Sequence, residues 1–188
     1  MSDYLQQIKI LIVDDQDFIR SILRHMLGVL GARDIYDAVD GEEAWEKTFL
    51  VKPDLVIVDW EMSPVNGVEF TRRIRKDDNS PNRYIPIIML TGHSDKARVT
   101  TARDSGINEF VTKPVAAKPL FERIANVIEN PRNFVRTDSY FGPDRRRRSV
   151  EVAEERRNGK LSPVNGKPAD FLPKTRSSEI LSGTGLSV

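Results

Sequence analysis

The chain has 188 residues, of which 39% are hydrophobic and 30% are charged, and its formal net charge is +1. It contains two His and no Cys, which excludes a disulfide scaffold and a Cys-built metal site. Its apolar runs are far shorter than the roughly 18 residues that a membrane span needs, and its start, MSDYLQQIK, lacks the pattern of a secretory signal. We therefore expect a soluble, cytoplasmic protein without a membrane partner.

Charge divides the chain into two parts. Residues 1–130 hold 17 Lys and Arg against 21 Asp and Glu, whereas residues 131–188 hold 12 against 7. The second part contains 17 Ser, Pro or Gly in 58 residues and only short apolar patches, so it can bury little surface to offset the entropy of folding. We predict a domain over 7–129 and a basic, largely disordered tail over 130–188 with no recognisable output domain.

Five short β-branched runs, the richest of them apolar throughout, alternate with helical patterns along the first part. The predicted strands are Lys9–Asp14, Asp34–Ala38, Leu55–Asp59, Ile87–Thr91 and Glu109–Thr112. Apolar residues recur at helical spacing between them, and Asp17 is a candidate cap for the first helix. Right-handed crossovers then give a doubly wound α/β fold, a five-stranded parallel sheet with helices on both faces.

Polar side chains stand where four of these strands end. Asp14 and Asp15 end the first, Asp59 ends the third and Thr91 the fourth, and Lys113 follows the fifth. Ligands of such folds bind beyond the carboxyl ends of the strands. Three carboxylates brought together there repel one another and require a cation, and a set of oxygen ligands favours Mg²⁺ or Mn²⁺.

The segments VDD, VDWEMSPVNG, LTG and FVTKP together resemble the receiver domain of two-component response regulators, of the stand-alone, chemotaxis-Y-like type. The resemblance covers about residues 7–129 and implies the flavodoxin-like strand order 2-1-3-4-5. It implies that Asp59 accepts a phosphoryl group from the phosphohistidine of a sensor histidine kinase or a histidine phosphotransfer protein. Asp14, Asp15, Asp59 and the main-chain carbonyl of Glu61 would bind the metal.

The same resemblance assigns roles around the phosphoacceptor. Thr91 and Lys113 would contact the phosphoryl oxygens, and Phe110 would move with Thr91 as a switch. The bond between Lys113 and Pro114 would be cis. Glu61 and His93 would tune dephosphorylation, so the domain would assist its own phosphorylation and dephosphorylation without being an enzyme in the ordinary sense.

Three functions remain open for the whole chain. The first is a regulator, monomeric or weakly dimeric, that signals to an unknown protein target through phosphorylation-dependent contacts. The second is a nucleic-acid-binding regulator that uses the arginine-rich segment Tyr140–Arg148, and the third is a phosphorelay intermediate or phosphate sink. We predict that residues 131–144 are partly ordered against the face between the fourth and fifth helices, through Phe134, Tyr140 and Phe141, while 149–188 are mobile.

Overall fold

A computed structural model describes residues 3–92, 96–145 and 162–163 of the chain. The strands of the main sheet are β1 (Lys9–Val13), β2 (Asp34–Ala38), β3 (Leu55–Asp59), β4 (Ile87–Thr91) and β5 (Glu109–Thr112). The helices are α1 (Asp17–Val29), α2 (Gly41–Val51), α3 (Gly67–Lys76), α4 (Lys96–Ser105) and α5 (Ala117–Glu129), preceded by a 3₁₀ turn at Asp3–Gln6. In the part of the chain that is described, no helix combines the length and the apolar character needed to cross a bilayer.

The five strands form one parallel sheet in the order β2-β1-β3-β4-β5, which confirms the predicted fold. Alternate residues of the central strands enter two apolar clusters on opposite faces, so Leu11 and Val56 face one cluster and Ile10 and Leu55 the other. Helices α2, α3 and α4 contribute to the first cluster, and α1 and α5 to the second. A strand that is buried on both faces has no solvent-facing side chains, so its sequence is apolar throughout and does not alternate between apolar and polar residues.

A capping side chain sets the start of α2 but not that of α1. Asp40 accepts hydrogen bonds from the backbone N–H groups of Glu42 and Glu43 at the start of α2, as an N-cap residue does. The prediction that Asp17 caps α1 is wrong, because Gln16 holds the N-cap position and its side chain makes no capping hydrogen bond. Asp17 instead lies in the first turn, where a carboxylate is favoured by the helix dipole.

The start of the predicted tail is part of the folded structure. Strands β6 (Phe134–Arg136) and β7 (Phe141–Pro143) pair as an antiparallel hairpin, and β8 (Ser162–Pro163) pairs with the other edge of β6. The predicted partial order of residues 131–144 is therefore present, and it extends to residue 145. The predicted mobile segment 149–188 lies outside the described residues, apart from β8.

The hairpin packs at the amino ends of β4 and β5. The ring centroid of Tyr84, just before β4, lies 5.0 Å from that of Phe134 and 5.4 Å from that of Phe141, in edge-to-face contacts. Phe134 and Phe141 are both buried. The predicted docking face between α4 and α5 is thus wrong for Phe134 and Phe141, because the surface they cover lies at the base of the sheet, beside the end of α3. Tyr140, in contrast, lies beside Arg103 of α4 and Phe110 of β5.

A buried arginine lies beneath the hairpin. The Arg75 guanidinium donates to the carbonyl oxygens of Gly106, Arg83 and Ile85 and to Oδ1 of Asn108, at 2.7 to 3.2 Å. Burial lowers the pKa of Arg75 to about 9, so the side chain stays charged at neutral pH. The Phe134 ring covers the guanidinium at 5.1 Å, which places a tail residue over a charged group of the domain.

Two glycines allow this close approach. Gly106 has a φ of +99°, and a Cβ there would lie 2.9 Å from Cγ of Arg75 and 3.1 Å from the carbonyl oxygen of Phe141. A Cβ on Gly142 would lie 2.9 Å from Cα of Gly106. The backbones of the hairpin and of the turn after α4 therefore meet at a distance that admits no side chain at either position.

Candidate functional site

The carboxyl ends of β1, β3, β4 and β5 bring the predicted polar residues to one edge of the sheet. Asp14 follows β1, Asp59 is the last residue of β3 and Thr91 the last of β4. Asp59 is the register partner of Leu90, and Thr91 is that of Thr112. Lys113, the residue after Thr112, therefore lies level with the carboxyl ends of β3 and β4. The structure thus places in one site residues that lie far apart in the sequence.

Three carboxylates form the centre of this site. Each of Asp14, Asp15 and Asp59 offers an oxygen, and the three oxygens lie within 4.8 Å of one another. Asp14 and Asp59 are buried, whereas Asp15 is exposed to solvent. The cluster is therefore closed on the side of the sheet and open on the side of Asp15.

Lys113 bridges the two buried carboxylates. Its Nζ lies 2.9 Å from Oδ2 of Asp14 and 2.9 Å from Oδ1 of Asp59. Burial alone lowers the pKa of Lys113, but the hydrogen bonds to Asp59 and Asp14 outweigh it and raise the pKa above its ordinary value. Burial raises the pKa of Asp59, and the hydrogen bond from Lys113 offsets only part of that effect. Lys113 is consequently held as a cation against two acids.

The donor set fits a hard divalent cation. One ammonium group faces three carboxylates, so the cluster keeps an excess of negative charge that a metal ion would balance. All of the candidate ligand atoms are carboxylate oxygens, the type that Mg²⁺ and Mn²⁺ prefer. Asp14, Asp15 and Asp59 are the residues that would hold the ion, and the carbonyl of Glu61 stays a prediction as a fourth ligand.

The loop after Asp59 folds back under the site. A Cβ on Gly67 would lie 2.1 Å from the carbonyl oxygen of Asp59, so only glycine fits there. Asn66 caps α3 by accepting from the N–H of Glu69, whose carboxylate accepts in return from the N–H of Asn66. This capping box sets the end of a loop that contains a cis bond between Ser63 and Pro64.

The remaining predicted residues lie at different depths around the carboxylates. Thr91 is buried at the end of β4, and the N–H of Lys113 donates to its carbonyl oxygen at 2.7 Å. Phe110 is half-buried on β5 and packs against the first apolar cluster. The bond between Lys113 and Pro114 is cis. Glu61 is exposed and borders an open depression with Asp15, whereas His93 lies outside the described residues.

Arg20 is a residue of this region that the sequence analysis did not single out. Its guanidinium donates at 2.8 Å to the carbonyl oxygen of Asp14 and at 2.9 Å to the carboxylate of Asp17. It thereby ties the first turns of α1 to the loop that carries Asp14 and Asp15. The spacing of Asp17 and Arg20 on one helix was the available signal, but the same spacing is common on solvated helix faces.

Comparisons with known proteins agree with this fold. Residues 10–125 match the response regulator receiver domain family. The chain is 37% identical over 121 residues to chemotaxis protein CheY1 of Helicobacter pylori, covering 64% of this chain and 96% of that protein. It is 35% identical over 123 residues to a chemotaxis protein CheY homolog of Campylobacter jejuni, of which 92% is covered.

A solved structure shows the same likeness. The crystal structure of chemotaxis protein CheY4 of Vibrio cholerae matches with a TM-score of 0.59 and 29% identity, over 64% of this chain and 98% of that one. The chain therefore belongs to the response regulator receiver family, which acts in two-component signalling. Residues beyond about 130, including the hairpin, lie outside the matched region.

Trp60 gives the site an optical reporter. It follows Asp59 directly and lines the open depression beside Asp15, so Mg²⁺ added to the full chain should change its fluorescence. Trp45 contributes a constant background, because it is buried on α2 under the guanidinium of Arg73, 4.2 Å from its ring centroid. A Mg²⁺ titration of Trp60→Phe is expected to lose the change, and one of Trp45→Phe to keep it. An unchanged response in Trp60→Phe places the metal elsewhere.

Proposed function

We propose that this protein is a response regulator whose Asp59 accepts a phosphoryl group from a phosphohistidine of a sensor kinase or a phosphotransfer protein. The observation that carries the proposal is the Asp59 carboxylate, which ends the central strand between Lys113 and the two other acids. In the transfer, an Asp59 oxygen forms a bond to phosphorus as the bond from phosphorus to the histidine nitrogen breaks. The leaving imidazole keeps the electron pair of that bond and takes up a proton.

Positioning and charge supply most of the catalysis of such a transfer. Asp14 and Asp15 would hold Mg²⁺ beside Asp59, and the ion would neutralise charge that develops on the phosphoryl oxygens. Lys113 already contacts Asp59 and can follow the phosphoryl oxygens as a point charge. The Thr91 hydroxyl, at the end of the adjacent strand, supplies a hydrogen bond to the same group.

The domain also assists the loss of its phosphoryl group. Receiver domains of this kind act as signalling proteins. Hydrolysis of the aspartyl phosphate would return this one to its resting state. Glu61 lines the open depression beside Asp15, two residues after Asp59 in the chain. A carboxylate there is placed to orient or repel the attacking water.

The output follows from the extra charge on Asp59. Phosphorylation adds roughly −1.5 to −2 charges, which changes the balance between two conformations of the surrounding side chains. Thr91 and Phe110 connect the site with the surface formed by α4 and β5, because both lie on the strands that border it. We place the contact with a downstream protein at this surface.

Phosphotransfer profiling tests the proposal. The purified full chain is mixed with each autophosphorylated kinase and phosphotransfer protein of the host, and separately with acetyl phosphate, with Mg²⁺ or with a chelator. We expect rapid, Mg²⁺-dependent labelling from a small set of donors and none after chelation. A chain that stays unlabelled with every donor in the presence of Mg²⁺ contradicts the proposal.

A further inference from the structure

The hairpin and the edge of the sheet enclose a shallow groove beside Phe110. Arg103 of α4, Arg132 and Arg145 lie along it, and Tyr140 of the hairpin turn forms part of its wall. We refer to this feature, defined by Arg103, Arg132, Tyr140 and Arg145, as the arginine groove. The family match ends at residue 125, so the two arginines and the tyrosine that come from the tail are an addition of this chain.

Positive charge exceeds negative charge in the groove. The buried Glu109 carboxylate accepts from Arg132 at 2.6 Å and from Arg123 at 3.4 Å, and also from the amide of Asn126. Asp104 contacts Arg145 at 2.7 Å. The groove itself is lined by three arginines, Arg103, Arg132 and Arg145, and by one carboxylate, that of Glu109. Even with Asp104 counted, positive charge is in excess, and the groove attracts an anionic partner.

A carboxylate of a partner can replace Asp104 as the ion-pair partner of Arg145. The side chains of Arg145 and Asp104 are 44% and 48% exposed, and ion pairs with that exposure contribute little stability. The Arg145 guanidinium also lies 4.0 Å from the ring centroid of Tyr140, a cation–π contact that holds it at the groove. A carboxylate arriving from solvent can thus pair with Arg145 in the bidentate geometry that guanidinium groups favour.

We propose that the arginine groove binds an acidic segment of a partner protein. Asp104 and Glu109 lie among the arginines and would repel the evenly spaced phosphates of a nucleic acid, whereas a peptide can place its carboxylates only where arginines are. Phe110 and Tyr140 offer apolar surface for side chains between those carboxylates. The groove lies beside α4 and β5, where the proposed function places the contact with a downstream protein, and in that respect the inference rests on the proposed function. The charge of the groove does not depend on it.

The test is a binding titration of the full chain. The probe is a fluorescently labelled synthetic peptide in which Glu alternates with Leu, and its binding is measured by fluorescence anisotropy. A labelled peptide with Lys in place of Glu and a labelled single-stranded oligonucleotide are titrated in the same way for comparison. We expect the acidic peptide to bind most tightly, and more weakly as salt is raised. Arg132→Gln combined with Arg145→Gln should weaken its binding about tenfold, since each removes one charge contact of modest strength.

A matched double variant controls for the loss of charge. Arg33 and Arg72 are exposed and lie away from the groove, so Arg33→Gln with Arg72→Gln should leave peptide binding unchanged. Arg103→Gln, which removes an exposed arginine outside the hairpin, should weaken binding on its own and guards against a folding defect in the double variant. Equal binding to the native chain and to all groove variants overturns the inference, as does tighter arginine-dependent binding of the oligonucleotide. Labelling of Asp59 in the same variants tests the proposed function separately.

Discussion

Asp59→Asn is expected to abolish Mg²⁺-dependent labelling of the full chain by acetyl phosphate or a phosphorylated donor. The amide that replaces the carboxylate is a poor nucleophile and carries no charge for the metal or for Lys113 to balance. Asp14 is no substitute, because both of its carboxylate oxygens already accept hydrogen bonds, Oδ1 from the N–H of Gln16 and Oδ2 from Lys113. We expect a loss of at least about a hundredfold in labelling rate, as for removal of a group that acts directly in the reaction.

Asp54→Asn is the matched control for this variant. Asp54 directly precedes β3 at its amino end, whereas Asp59 ends the same strand at the site. Its Oδ2 accepts from the N–H of Lys9, an interaction that an Asn side-chain oxygen retains. Labelling of Asp54→Asn should therefore match the native chain, and labelling of Asp59→Asn at the native rate would remove Asp59 from the role we give it.

Phe134→Ala is expected to lower the free energy of unfolding by about 3 to 5 kcal/mol, as truncation of a buried aromatic side chain does. Phe134 is 1% exposed and contacts Tyr84, Phe141 and the face of the Arg75 guanidinium. Its loss removes apolar contacts and lets water reach a buried charge whose acceptors are the carbonyl oxygens beneath it. Urea unfolding of the full chain, followed by circular dichroism, measures the change.

Val135→Ala provides the comparison, because Val135 is the next residue of β6 and is only half-buried. Its truncation should cost about 1 kcal/mol or less. A similarly small effect of Phe134→Ala would mean that the hairpin unfolds separately from the domain. In that case removal of residues 131–188 would leave the melting temperature unchanged, whereas we expect it to fall.

The main sheet was predictable because its strands are determined by burial. The bounds predicted for β2, β3, β4 and β5 match those of the structure, and β1 ends one residue earlier, before Asp14. The runs of β1, β3 and β4 are short, rich in β-branched residues and flanked by polar turn residues, so burial on both faces is the interpretation most consistent with them. The order of the strands came from the family resemblance, since periodicity carries no information on which strands are neighbours.

The hairpin and Arg75 were not predictable in the same way. Arg75 lies in a helix that ends in Arg73, Arg75 and Lys76, a pattern typical of an exposed basic turn. Its burial depends on acceptors supplied by three other segments, around Arg83, Ile85 and Gly106, which no local pattern reveals. The hairpin strands are three residues each and derive their order from the surface they cover, so composition alone indicated a flexible tail.

The contact between Gly106 and Gly142 gives this appended hairpin a recognisable mark in sequence. Since neither position admits a side chain, a receiver that carries the same hairpin must keep both glycines, together with an arginine equivalent to Arg75 and an aromatic residue equivalent to Phe134. A receiver in which the first glycine is replaced has to hold its own tail differently. The two glycines therefore distinguish, from sequence alone, receivers that carry this hairpin from receivers whose chain simply continues past the last helix.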